Sequence, residues 1–342
     1  MKNNRTYISI GDFIDLFYKV KQKGYANIVS KLHQSDKSRT VTKWNSVTSS
    51  SDFWIIPEVR TRWNEKCTGD PTLEYEDYVV SKYLSEKKGL TMLSVGCGSG
   101  ARERKFGKYP NFDLIVGIEM AAKQVEEARK SAADLSLNNL KYIVGDFYNH
   151  EFSPESYDVI LFNSSLHHFN QLDKLIPERV CPLLKKGGLL VIFEYVGPDR
   201  LQWTNLQLSA TNQLLKELPL AYKRRFNSRT VKRRVYRPGL LRMQLVDPSE
   251  AIDSTSILPS IHLHLKTLEE RKVGWDITHL LFKDIAHNFL DKSSETQQLL
   301  SFIFDKEDEY LALTGRSDVV FGVYQKAEEP LSKMADFFLA LA

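Results

Sequence analysis

Two rhythms of apolar and polar positions divide the middle of the chain. Short runs that are apolar on both faces, Leu90–Val95, Asp113–Met120, Lys141–Phe147 and Leu189–Val196, alternate with longer stretches, and Tyr157–Phe169 starts as one more such run before turning polar. A run of strand length with two apolar faces belongs in a parallel sheet covered by helices. The stretches between them, Ala101–Tyr109, Ala121–Leu135 and Asp173–Leu184, read as helices. The second is rich in good helix formers, and the third is followed by Lys185, Lys186 and Gly187, the basic and glycine signals of a helix carboxyl terminus. Strand and helix in alternation predict an α/β fold with a doubly wound parallel sheet.

The flanks have other patterns. Phe13, Leu16, Phe17 and Val20 recur at helical spacing, Ser35–Ser51 is a Ser/Thr-rich linker, and Trp54–Leu84 places apolar and aromatic residues every three to four positions on both sides of a Thr68-Gly69-Asp70-Pro71 break. Gly197–Leu258 is too long for one crossover and is punctuated by Pro198, Pro219, Pro238 and Pro248. Beyond it, His262–Val273 reads as a sixth strand and its approach, Trp275–Leu290 and Thr296–Leu313 as helices, Ser317–Lys326 as the last strand, and Leu331–Ala342 as a short amphipathic helix. The expected plan is a helix and flexible linker over 1–50, cap helices over 51–88, a ligand-binding core over 89–197, an insertion or lid over 198–260, the elements completing the core over 261–330, and a terminal helix over 331–342.

Composition adds limits. The 342 residues, 42% of them hydrophobic, could hold two domains, and one α/β core of ordinary size with helical additions fits equally well. With 47 basic and 43 acidic residues the formal net charge is only +4, which makes no global case for nucleic acid. Charge is instead local: eight of the fifteen residues of Lys223–Arg237 are basic, either as a solvated helix face or as an anion-binding segment. Cys67, Cys97 and Cys181 fall at no metal spacing and, being odd in number, argue against a disulfide framework, so a cytoplasmic protein without a metal is expected. The chain shows neither a signal-peptide pattern nor an apolar window of spanning length.

Candidate chemistry begins where the first buried run breaks into Gly96, Gly98 and Gly100, a turn whose backbone can lie against a ligand. Alone, this loop also fits a dinucleotide fingerprint, with Ala101 in the last position. Three further signals make the choice. The second run closes on Glu119, the third on Gly145-Asp146, and Lys185-Lys186-Gly187-Gly188 precedes the fifth. In this order and register the sequence resembles the class I S-adenosylmethionine-dependent methyltransferases. EYVGPDRLQW, DPSEAI and Gly274-Trp275 with THLLFKDIAHNF further resemble a bacterial subgroup associated with polysaccharide or natural-product pathways.

The resemblance implies a mostly parallel, seven-stranded, Rossmann-like sheet with N-terminal helices and a long helical insertion after the fifth strand, and S-adenosyl-L-methionine as cofactor. Gly96, Cys97, Gly98 and Gly100 would accommodate its amino-acid part, Glu119 its ribose hydroxyls, and Asp146 its adenine amino group. Met120 and Phe147 would sandwich the adenine, with core filling as the competing role, and Asn163 ends the fourth strand beside the methyl group. His167 is the candidate base, since a histidine there can take the proton of an acceptor hydroxyl near neutrality. Ser165, His168, Glu194, Tyr195, Gln202, Trp63, His279, Arg224 and Arg225 are candidate acceptor contacts. His279 and His287 lie in a mostly apolar stretch that favours structural roles, and Arg224, Arg225, Arg233 and Arg234 would clamp an anionic group.

The expected reaction is O-methylation of a small or medium acceptor, such as a sugar, a glycan, or a natural-product hydroxyl or carboxylate. N-methylation of a small molecule or peptide is the alternative. The Asn/Asp-Pro-Pro-Tyr turn of enzymes that methylate planar nitrogens is replaced by Asn163-Ser164-Ser165-Leu166, which disfavours nucleic acid. A non-catalytic binding protein and a nicotinamide oxidoreductase are the readings from other classes.

Overall fold

The computed structural model describes residues 5–14 and 53–327. Within them the chain divides into two compact units. One comprises Tyr75–Val196, Asp253–Arg271 and the described part of Val320–Ala342; the other comprises the described part of Met1–Glu74, Gly197–Ile252 and Lys272–Val319. The chain is helical over Ile10–Ile14. The remainder of the expected amino-terminal helix, the linker and the terminal helix 331–342 lie outside the described residues.

Seven strands form one sheet: β1 (Leu90–Val95), β2 (Phe112–Glu119), β3 (Leu140–Val144), β4 (Tyr157–Asn163), β5 (Leu184–Tyr195), β6 (Lys266–Gly274) and β7 (Val319–Gln325), in the order β3-β2-β1-β4-β5-β7-β6. β1 pairs with β2 and β4, β2 with β3, and β4 with β5, all parallel. The Gly187 N–H donates to Lys326 O and the Lys326 N–H to Gly188 O, so the start of β5 faces the end of β7 and the sheet is mixed. Met92, Leu93, Ile160, Leu161, Leu190 and Ile192 are completely buried, as strands apolar on both faces require. Leu93, Val95, Phe162 and Ile192 join Leu172, Ile176, Val180, Ile257 and Ile261 in one core cluster.

This topology positions the site. Strand order reverses between β1 and β4, and in an open α/β sheet the crevice beyond the carboxyl ends of the strands at such a reversal is where ligands bind. β1 runs into the glycine loop there, and β4 runs into the turn that bears the two histidines.

Three expectations shift. β5 starts at Leu184, so Lys185–Gly188 lie within the strand instead of before it. Its pairing jumps from Tyr157↔Leu184 to Val159↔Leu189, with Gly187 at φ +70°. The glycines therefore make a bulge. His262 and His264 end the helix Ile257–His264, and the sixth strand starts only at Lys266. The helix expected over Trp275–Leu290 is broken into Thr278–Phe282 and a 3₁₀ turn Ala286–Phe289. Asp284 sits between them at φ +69°, and Lys232 Nζ donates to the carbonyls of Leu280, Leu281 and Lys283, satisfying the end of the first helix.

In the second unit, three longer helices have stop and start signals that can be read residue by residue. Pro57–Thr68 begins on a proline and ends at Gly69, φ +87°. Asn205–Glu217 is capped by Thr204, which accepts from the Gln207 N–H, and Ser294–Thr314 runs from the Ser293 cap to Gly315. Arg62 and Lys66 both reach Asp308, at 2.8 and 2.6 Å. Lys223–Arg237 does not form the expected helix face; it is irregular, with a single antiparallel bridge between Arg224 and Val231.

Candidate active site

Three glycines after β1 adopt left-handed φ, each for a different physical reason. A Cβ on Gly96 would lie 2.6 Å from that of Ser165, so this glycine lets the loop pass against the β4 turn. On Gly100 it would lie 2.5 Å from the Tyr142 hydroxyl and 2.9 Å from Ala128 Cβ, so that glycine seats the next helix. A Cβ on Gly98 would meet nothing within 4 Å. The middle of the loop thus offers bare backbone to open space while its two ends are packed, which is a cradle for a ligand.

Glu119 closes β2 beside this cradle. Its Oε2 accepts from the Gly98 N–H at 3.2 Å and its Oε1 from the Ala121 N–H at 2.8 Å, and burial holds the carboxyl above its usual value. Met120 and Cys97 are half-buried, and burial also pushes the Cys97 thiol well above its usual range. Asp146, half-buried beyond β3, accepts from the Tyr148 N–H at 3.1 Å and the Asn149 amide at 2.8 Å. Phe147 takes the competing role. It is 3% exposed among Phe152, Phe162 and Phe169, with the Arg179 guanidinium 5.1 Å from its ring centre, so it has no face left for stacking on adenine.

The turn after β4 is tied down from several sides. Asn163 Oδ1 accepts from the Tyr75 hydroxyl at 2.8 Å, and the Tyr75 ring stacks on Phe193. Ser164 adopts φ +52°, and its N–H donates to Phe193 O. Ser165, expected at the acceptor, is buried and donates its hydroxyl to Val95 O at 2.6 Å, a strut between β1 and β4. Glu194, expected on the rim, is 0% exposed. Its Oε1 accepts from the N–H groups of Ser165 and Leu166, and its Oε2 lies 2.8 Å from His167 Nδ1. His168 is half-buried with its ring 4.3 Å from that of His167, and Tyr195 stands edge-on at 6.2 Å.

Five further candidates belong to the second unit. Gln202 is 6% exposed, accepting from the Thr6 N–H and donating to Pro238 O, so it is a brace and not an acceptor contact. Trp63 and His279 belong to an aromatic cluster with Phe53, Trp54 and Trp275. Arg225 is committed to Asp284 at 2.8 Å, whereas Arg224, Arg233 and Arg234 are exposed. Among the described residues, Arg225, Arg233 and Arg234 line a cavity of about 440 Å³ together with Ile10, Phe13, Ile14, Val231 and Tyr236.

Tyr75 is the residue that sequence reasoning missed, because an aromatic at helical spacing reads as core. The burial of Glu194 did leave a signal: an acid inside an otherwise apolar run, LLVIFEY, needs buried partners.

The donor set suits S-adenosylmethionine. Its amino-acid portion would lie on the bare backbone at Gly98, Glu119 would accept from the ribose hydroxyls, and Asp146 would accept from the adenine amino group. Among the described residues no helix is long and apolar enough to cross a membrane.

Residues 86–244 match a family model described as a methyltransferase domain. A sterol 24-C-methyltransferase of Candida albicans is 30% identical over 135 residues; the match takes in 39% of this chain and only 35% of that protein's length. Two solved structures are similar at lower identity. Geranyl diphosphate methyltransferase in complex with S-adenosylmethionine is 12% identical with a TM-score of 0.46, over 74% of this chain and 84% of that one. The [4+2]-cyclase SpnF is 17% identical with a TM-score of 0.44, over 75% and 80%. The glycine loop, the acids closing β2 and β3 and the parallel strand order all fall within residues 86–244, the segment that matches the methyltransferase-domain model.

Proposed function

We propose that this chain transfers a methyl group from S-adenosylmethionine to an oxygen of a small or medium acceptor. The observation that carries the reading is the open backbone at Gly98 with the Glu119 carboxylate bonded beside it, at the point where strand order reverses. When bound, the cofactor supplies a methyl carbon on a positively charged sulfur, which departs as a neutral thioether. The chain itself has three tasks. The loop and Glu119 fix the cofactor, alignment beside the β4 turn accounts for much of the barrier, and His167 takes the proton that the acceptor oxygen releases as its bond to carbon forms. The imidazolium so formed lies against the Glu194 carboxylate.

Carbon methylation is the second reading, favoured by the sterol 24-C-methyltransferases among the relatives. It also ends in loss of a proton, so the same histidine serves it. An anionic acceptor fits the exposed Arg224, Arg233 and Arg234, and the three free cysteines fit the cytoplasm. The test is a panel of hydroxyl, carboxylate, amine and alkene acceptors incubated with isotopically labelled S-adenosylmethionine. Label on oxygen supports the reading, label on carbon moves it to the second, and label on nitrogen overturns both.

A further inference from the structure

We propose that Glu194 is a positioning residue that keeps the proton of neutral His167 on Nδ1, making Nε2 the basic nitrogen of the site. This rests on the methyl-transfer reading for its purpose but not for its geometry. Glu194 comes from β5, the strand paired with β4, and is completely buried. One carboxylate oxygen accepts from two successive backbone N–H groups, Ser165 and Leu166, and the other lies 2.8 Å from His167 Nδ1.

An ionised carboxylate has acceptor sites only, so the hydrogen of the third contact must come from the imidazole. A neutral imidazole carries one such hydrogen. With it on Nδ1, the lone pair resides on Nε2. The two backbone contacts tie the same carboxylate to the peptide groups on either side of Ser165, so the orientation of the ring follows from the backbone of the turn. Ser164, at φ +52°, turns those N–H groups toward β5. Were His167 only a packing residue, a carboxylate with both oxygens engaged along the same turn would be an expensive way to fill space, because burying a charge costs far more than burying a methyl group.

Separating this role from a merely structural one calls for a substitution that preserves the backbone bonds. In Glu194→Gln the amide oxygen can still accept from Ser165 and Leu166, while the amide NH₂ becomes a donor toward His167 Nδ1. Tautomers are then read by ¹⁵N magnetic resonance of histidine-labelled full-length protein, with the His167 signals identified by their absence in His167→Asn. The expected result is a protonated Nδ1 and a bare Nε2 in the parent, with the two nitrogens exchanging roles in Glu194→Gln at an unchanged affinity for S-adenosylmethionine.

A parent with the proton on Nε2, one with both nitrogens protonated throughout the stable pH range, or a variant with the parent's tautomer would each overturn the proposal. Should Glu194→Gln fail to fold, the parent spectrum still decides. Absence of cofactor binding by the parent would instead sink the methyl-transfer reading and leave the tautomer result standing, so the two failures are distinct.

Discussion

Gly96 and Gly98 stand two residues apart and have opposite surroundings, which gives them different expected phenotypes. Alanine at 98 meets no neighbour and incurs only the left-handed backbone cost of about 1–2 kcal/mol, but its methyl group occupies the face where the cofactor would lie. Gly98→Ala should therefore melt slightly below the parent and bind S-adenosylmethionine markedly more weakly. Gly96→Ala adds a clash with Ser165 and should lose roughly 1–3 kcal/mol more in denaturant titrations. Equal cofactor affinity in parent and Gly98→Ala would show that the open face is not the binding face. Glu119→Ala should lower cofactor affinity on the order of tenfold to a hundredfold, since it removes a charged acceptor. Asp146→Ala should cost about tenfold or less, as expected for one hydrogen bond to a neutral group. Calorimetry on folded variants checks both, and the reverse ranking would reassign the two acids.

At the scale of elements, the strands were legible because burial on both faces writes itself into the sequence as continuous apolar runs. β1 matches its expected bounds, and β2, β3 and β7 differ at their ends by a few residues. Two of the misread elements share one cause: long-range hydrogen bonding overrides local pattern. THLLFKDIAHNF has helical spacing, yet Lys232, some fifty residues away, satisfies carbonyls at its middle and the helix stops there. Lys185–Gly188 has turn composition and is absorbed into β5 as a bulge. Within the site, motif order foretold the glycine loop after β1 and the acids at the ends of β2 and β3, whereas Phe147 was expected against adenine, and Ser165, Gln202 and Glu194 at the acceptor, because a sequence does not show which strand-end side chains point inward.

The basic segment is where this matters most. Arg225 is held by Asp284 and Lys232 is buried under backbone carbonyls, while Arg224, Arg233 and Arg234 remain exposed. Arg225→Ala should lower the melting temperature, whereas Arg224, Arg233 and Arg234 changed together to glutamine should leave it within error of the parent. If the segment receives an anionic acceptor, that triple variant raises the acceptor KM and flattens its salt dependence. Kinetics identical to the parent across a salt series would leave these arginines as solvated surface.

For the whole molecule, the least comfortable feature is a group of buried acids in the second unit. Burial, followed by the charges of Asp318 and Glu307, pushes Asp276 up to about 9, and burial together with Glu307 pushes Asp318 up to about 7. Both folded-state values lie above the ordinary 3.8. The stabilising contribution is therefore complete below that value and is lost as pH rises through about 7 and then about 9. The melting temperature of the parent should fall over this window. Asp276→Asn keeps an acceptor for the Asp318 N–H but cannot ionise, and should make the fall shallower. A parent whose stability is flat across the window would contradict the assignment.

The central claim is that the glycine loop and Glu119 hold S-adenosylmethionine, and titration calorimetry of the full chain tests it most directly. The prediction is saturable single-site binding of S-adenosylmethionine, weakened in Glu119→Ala and in Gly98→Ala while both variants stay folded, with no comparable heat from NADH. Absence of heat with S-adenosylmethionine, or binding of NADH in its place, would contradict the account.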